Sequence, residues 1–227
     1  MKFSFSNWKR SLIDVLFPEY NACHLCGRFP ENGSLLCGDC LRKLHALRYR
    51  PLRMASPENH TPLTVCIAAY PHKDEARELV HLLKYQSDCE VAKLLGESMA
   101  AALTLSPLKP EVDLVVPVPL HTTRLEQRGY NQALLLAQAV CAHTGLSLAA
   151  DALIRLHATD TQLHRDRTQR MQAMQHAFAA ADAKQVQGKR ILLVDDVLTT
   201  GATAVSCASA LLEAGALSVS LLTACRA

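Results

Sequence analysis

Residues 191–203 read ILLVDDVLTTGAT: an aliphatic run, two adjacent aspartates, then small hydroxyl residues around one glycine. A continuous apolar run of this kind reads as a strand buried on both faces, and such strands belong to parallel sheets covered by helices. The predicted strand, 191–195, therefore carries its carboxylates to the C-terminal edge of the sheet, where open α/β folds bind ligands. Successive strand residues face opposite sides, so Asp195 and Asp196 do not share one environment, yet both reach adjacent hydroxyls as the chain leaves the strand. Thr199, Thr200, Gly201, Ala202 and Thr203 then lead into a helix. Small residues let backbone N–H groups approach an anion, and the helix N-terminus adds partial positive charge, which makes a phosphate cradle. A phosphate with vicinal hydroxyls a few ångströms away describes a ribose 5-phosphate unit. Two plainer readings stand beside it: a magnesium site of a phosphotransfer protein, and solvent-facing aspartates ahead of a threonine N-cap. The TTGAT segment weighs toward the phosphoribosyl reading.

The rest of the chain supplies the expected neighbours. Apolar runs at 65–70, 112–118 and 217–224 read as strands, while 74–86, 90–105, 131–144 and 202–214 read as helices, two of them closing on Gly145 and Gly215. Strands alternating with helices imply a mostly parallel sheet flanked by helices on both faces. With 227 residues there is room for one such domain and a small appendage. The Pro-containing stretch 51–64 reads as the linker between them, giving an N-terminal module over 1–55 and the α/β domain over 62–227. Ahead of the linker, Trp8, Leu12, Val15 and Leu16 fall at helical spacing, and their stripe suits packing on the cysteine-rich segment better than a membrane surface. The segment 157–177 is polar and basic, a mobile loop or a helix with no evident apolar face. No apolar run approaches the ~20 residues that cross a bilayer, and the first residues lack the features of a secretory signal, so a cytoplasmic protein is expected. A formal net charge of +3 is too small for a dedicated nucleic-acid surface, although a local basic patch is compatible with it.

Nine cysteines are an odd count, which argues against a complete disulfide framework. Cys66, Cys89, Cys141, Cys207 and Cys225 are scattered through apolar or helical segments and read as small hydrophobes. Cys23, Cys26, Cys37 and Cys40 form the pairs CHLC and CGDC, and two such turns complete a tetrahedral zinc site. A module this short has no core of its own, so the metal would supply its folding energy, as a knuckle or ribbon. The alternative, a redox dithiol, needs a CxxC at a helix N-terminus and has no use for two pairs. Arg28, Arg42, Lys43, Arg48, Arg50 and Arg53 flank the cluster and leave a nucleic-acid contact open beside an ordinary solvated face.

ILLVDDVLTTGAT resembles the phosphoribosyl-pyrophosphate (PRPP) signature of type I phosphoribosyltransferases. Together with CHLC and CGDC, AYPHKDEARELVHLLKY, VVPVPLHTTRLEQRGYNQA, and the TDTQ segment ending in Ala177–Phe178, it makes nearly the whole chain resemble the competence protein F (ComF) family. The resemblance implies a type I phosphoribosyltransferase-like sheet preceded by a four-cysteine zinc module. It implies that Asp195 and Asp196 hold the ribose hydroxyls, that 199–203 hold the 5-phosphate, and that magnesium accompanies PRPP. Arg124, Arg128 and Lys84 would meet the pyrophosphate, with Arg165, Arg167 and Arg170 on a closing loop where Gln162 matches the family. At Ala173 and Arg165 the chain departs from the family pattern, which has an asparagine and an apolar residue there. Two functions follow: transfer of 5-phosphoribosyl to an unspecified acceptor, or a non-catalytic scaffold or sensor that binds single-stranded DNA or DNA-uptake proteins. The acceptor and the oligomeric state are not legible in the sequence.

Overall fold

A computed structural model describes residues 22–30, 33–47, 61–85, 89–107, 109–156 and 177–227. The predicted helix around Trp8–Leu16, most of the linker, and the basic segment with Gln162, Arg165, Arg167, Arg170 and Ala173 lie outside these residues. The chain divides into two compact units at Leu47.

In the N-terminal unit, Cys23 opens a tight turn in which the Gly27 N–H donates to the Cys23 carbonyl at 2.8 Å and the Cys23 N–H to the Arg28 carbonyl at 2.7 Å. Gly27 closes it at φ 71°, a left-handed conformation that favours glycine. Helix α1, Gly38–Ala46, follows with Cys37 as its N-cap. Its sense suits the helix dipole, with Asp39 in the first turn and Lys43 and His45 in the last. Cys40 and Leu44, one turn apart, face inward and are buried. The sequence reading as a knuckle or ribbon did not anticipate this helix, because Gly38 beside a cysteine reads as turn.

The second unit is built on a parallel four-stranded sheet of order β1-β6-β5-β2. Its strands are β1 (Leu63–Pro71), β2 (Leu114–Pro117), β5 (Arg190–Leu198) and β6 (Ser218–Arg226). Helices α2 (Asp74–Tyr85), α3 (Cys89–Leu105) and α5 (Gln132–Thr144) cover one side. On the other, α7 (Ala202–Glu213) packs with a small antiparallel pair, β3 (Leu153–Arg155) and β4 (Phe178–Ala180). Short helices α4 (Thr122–Arg128) and α6 (Ala183–Val186) complete the elements. In central β5, Ile191, Leu192, Leu193 and Val194 are all buried, as expected of a strand covered on both faces.

Two details differ from the sequence reading. Strand β5 continues to Leu198, because β6 extends the ladder, pairing Val197 with Cys225 and Leu198 with Arg226. The aspartates thus belong to the strand. The loop after β2 contains α4, whose residues are all exposed or half-buried, so it leaves no apolar periodicity to detect. It is capped instead, by His121 Nδ1 accepting from the Thr123 N–H and by Gly129 at φ 80°.

Helices α3 and α5 approach closely at Gly96, where a Cβ would stand 2.3 Å from the Cβ of Ala139. Glycine to alanine in a helix interior ordinarily stabilises by about 1 kcal/mol. Here the clash reverses the sign, and Gly96→Ala is expected to cost about 1–3 kcal/mol, read as a lower unfolding midpoint in denaturant. An unchanged or raised midpoint would show that the helix pair gives way easily.

Candidate functional site

The thiols of Cys23, Cys26, Cys37 and Cys40 converge within 4.8 Å of one another. Cys26 and Cys37 Sγ stand 3.6 Å apart, close to the ~3.8 Å edge of a tetrahedron with metal–sulfur distances of about 2.3 Å. Burial opposes ionisation of Cys23, but backbone N–H groups of Cys37, Leu25 and Cys26 outweigh it and bring the thiol down to about 6. The Cys40 N–H lowers Cys37. Burial, then the crowding thiols of Cys26, Cys37 and Cys23, push Cys40 up beyond the ordinary thiol range. Such a set of sulfurs, some ready to ionise and one held back by its neighbours, suits a structural metal that releases the remaining protons on binding. Cys37 does sit at a helix N-terminus, as a redox dithiol would, yet all four sulfurs share one point. On the flank, Asp39 accepts from Arg28 at 3.1 Å and also pairs with Arg42.

In the larger unit, the C-terminal ends of β1, β2 and β5 open onto a cleft of about 710 Å³. Asp195, Asp196, Lys84, Arg124, Arg128, Thr199 and Thr203 all line it. Thr200, Gly201 and Ala202 line an adjoining recess at the start of α7, together with Thr199, Thr203 and Asp195. Gly201 stands at φ 78° as the N-cap of α7 and has no side chain to cap it; Thr200 Oγ1 accepts from the Ala202 N–H at a long 3.5 Å, a contact that an anion at the helix N-terminus would replace. The fold thus brings together every described residue singled out for the ribose, phosphate and leaving-group positions. Arg165, Arg167 and Arg170 fall outside the described residues.

The two aspartates are treated differently. Asp196 is 6% exposed, and its Oδ2 accepts from Lys84 Nζ at 3.2 Å and from Gln132 Nε2 at 3.1 Å. Asp195 lines the recess beside Thr223, its partner in the β6 register. Burial, then the Asp196 charge, push Asp195 up to about 8, against the opposing pull of the Asp196 N–H and Lys84. A carboxyl raised in this way holds its proton more tightly folded than unfolded, where aspartate titrates near ~3.9. The stability this confers is complete below that value and is lost as pH rises through about 8. The ligand-free protein is therefore expected to melt at a lower temperature at about pH 8.5 than at about pH 5.5, with Asp195→Asn flattening the slope. A melting temperature independent of pH in wild type would remove the raised Asp195 carboxyl from this account.

Several cleft residues were not singled out in the sequence: His72, Tyr85, Tyr130, Gln132 and Arg155. Burial, then Lys84 and Arg77, lower His72, so the imidazole in the cleft is neutral near pH 7. Arg155 lies 5.4 Å above the Phe178 ring, and burial followed by the charge of Arg124 lowers it. Tyr85, 69% exposed, has the Arg128 guanidinium 5.9 Å from its ring centre. A local signal for two of these was the polar tetrapeptide Gly129-Tyr130-Asn131-Gln132 before an apolar helix.

A sequence model of the phosphoribosyl transferase domain matches residues 132–227. The chain is 31% identical over 207 residues to the DNA utilization protein YhgH of Salmonella typhi, covering 90% of this chain and 83% of that one. It is 31% identical over 206 residues to competence protein ComFC of Bacillus subtilis, covering 90% and 77%. Against competence protein F of Haemophilus influenzae the identity is 32% over 187 residues, covering 80% and 74%. No described helix is long and apolar enough to cross a membrane.

Proposed function

The chain belongs to the competence protein F family, whose members share a phosphoribosyltransferase domain, and on that premise we propose that it binds PRPP with magnesium and transfers the 5-phosphoribosyl group to an acceptor. The observation that carries this is the cleft in which the glycine-led N-terminus of α7, two aspartates and the cations Lys84, Arg124 and Arg128 meet. The turn 199–203 takes the 5-phosphate through its N–H groups, and Asp195 and Asp196 accept from the ribose hydroxyls. Arg124, Arg128 and Lys84 hold the pyrophosphate, with Arg165, Arg167 and Arg170 of the segment between β3 and β4 assigned to the same anion by family resemblance.

In the reaction, the C1–O bond to pyrophosphate breaks with its electron pair leaving on oxygen, and a lone pair of the acceptor bonds to C1. The cations stabilise the charge that develops on the leaving group, and no covalent enzyme intermediate is needed. Magnesium would enter on the oxygens of PRPP, where it neutralises pyrophosphate charge. One carboxylate of the cleft is already engaged by Lys84, which suits a metal carried mainly by the ligand. In the N-terminal module, within 1–55, the four cysteines hold zinc as a structural ion, and the transferase domain occupies 62–227.

The names of the relatives place them in DNA utilisation and competence, and we assign this chain to the same process. A scaffold that binds single-stranded DNA through the zinc module is less well supported, since Arg28 and Arg42 both direct charge to Asp39. The test is calorimetry with PRPP and Mg²⁺, followed by a pyrophosphate-release assay with bases, nucleosides and single-stranded DNA as acceptors. No heat from wild type would sink the ligand assignment; binding without pyrophosphate release from any acceptor would favour a sensor. Loss of DNA affinity with rising salt would instead point to phosphate contacts.

A further inference from the structure

The tetrapeptide Gly129-Tyr130-Asn131-Gln132 ties three separate parts of the domain together. Gly129 ends α4 in the left-handed region at φ 80°. The Tyr130 hydroxyl donates to the Leu83 carbonyl at 2.5 Å, beside Lys84 in the last turn of α2. Asn131 caps α5 by accepting from the Ala133 N–H, and its Nδ2 donates at 3.0 Å to the carbonyl of Val118, just past β2. The segment is thereby pinned to α2 and to the end of β2, and it presents Gln132, 6% exposed, at the first turn of α5.

Gln132 makes two contacts of opposite kind. Its Oε1 accepts from Arg128 Nη1 at 2.6 Å, and its Nε2 donates to Asp196 Oδ2 at 3.1 Å. The chemistry of the partners dictates this orientation, since a guanidinium only donates and a carboxylate only accepts. An uncharged amide is the group that satisfies a cation on one side and an anion on the other. A carboxylate here would repel Asp196, and asparagine is one methylene shorter. With Lys84 on the same oxygen of Asp196, the result is a continuous chain, Arg128–Gln132–Asp196–Lys84, along the floor of the cleft.

We propose that Gln132 is a positioning residue that couples the leaving-group side of the cleft to the ribose side, holding Arg128 with its carbonyl and Asp196 with its amide N–H. This rests on the reading of the cleft as a PRPP site. Both polar atoms of the Gln132 amide are engaged by protein groups, Arg128 and Asp196. It fixes the fork of Arg128 toward pyrophosphate and, with Lys84, occupies Oδ2 of Asp196, so that Oδ1 is the oxygen offered to a ribose hydroxyl. Because the amide joins both, displacing either charged group loosens the other, and the two halves of the ligand are felt jointly.

The test measures Mg²⁺–PRPP affinity for wild type, Arg128→Ala, Asp196→Asn and the double variant, by calorimetry with competition for weak binders, and repeats the cycle in a Gln132→Met background. The expected result is a non-additivity of about tenfold between Arg128→Ala and Asp196→Asn in wild type that vanishes in the Met background. Retention of the same non-additivity with methionine, or wild-type affinity of Gln132→Met, overturns the proposal. Gln132→Glu has nearly the same volume and keeps the acceptor for Arg128. Its carboxylate would face the accepting Oδ2 of Asp196 with no N–H to donate, so its Mg²⁺–PRPP affinity is expected to fall about tenfold below wild type. A Glu variant with wild-type affinity also overturns it. Failure of wild type itself to bind PRPP is seen before any variant and sinks the ligand reading separately from the role of Gln132.

Discussion

Mg²⁺–PRPP titrated into the double variant Asp195→Asn/Asp196→Asn is expected to give no measurable heat, against saturable binding by wild type. Each substitution removes a charged acceptor for a ribose hydroxyl, worth about 1.5–3 kcal/mol, so the pair costs roughly a hundredfold to ten-thousandfold in affinity. The fold should survive. Asp195 carries a desolvation cost that raises it to about 8, and an amide of the same shape escapes that cost at neutral pH. Asp196→Asn releases Lys84 and turns one accepting oxygen into a choice of donor or acceptor, a loss confined to the cleft. The informative outcome is therefore lost binding with an unfolding temperature at or above that of wild type near pH 8. Wild-type affinity in the double variant would remove the aspartates from the ligand site. In wild type, affinity is expected to rise with pH up to about 8, because Asp195 must give up its proton before it can accept from the sugar.

The second large effect concerns the cysteine cluster. Metal analysis of the purified full chain is expected to find about one zinc per molecule. A strong chelator should abolish amide protection in α1, Gly38–Ala46, while leaving the sheet protected. The described part of this unit buries only a few apolar side chains, Leu36 and Leu44 foremost, besides its cysteines. That is too little to offset the entropy of ordering the chain, whereas structural zinc binding supplies about 10–16 kcal/mol at neutral pH. Cys40→Ser should act as the chelator does, since it removes one of the four converging sulfurs. Protection of α1 that persists without metal would mean that the cluster is not what folds this unit.

Much of this architecture was legible before any coordinates. The aliphatic run at 191–194, the capping glycines at 145 and 215, and the CxxC pairs act through local conformation, which depends on residue type and spacing. For the same reason α4 escaped notice: an exposed helix held by His121 and Gly129 has no buried stripe to announce it. Strands β3 and β4, of three residues each, are too short to carry a period. The true end of β5 was missed because its last pairs depend on how far β6 extends.

The division is sharpest at the aspartates. ILLVDDVLTTGAT by itself determined that two carboxylates reach the edge of a buried sheet ahead of a phosphate-sized turn, since strand alternation and small turn residues are properties of contiguous chain. It did not determine that Asp196 would be held by Lys84 from α2 and Gln132 from α5 while Asp195, half-buried beside it, holds its proton more tightly. Those differences arise because α2 and α5, distant in sequence, lie on one side of the sheet, while α7, which directly follows the strand, packs on the other. The environment of a charge is set by what packs around it, and only the tertiary structure decides that.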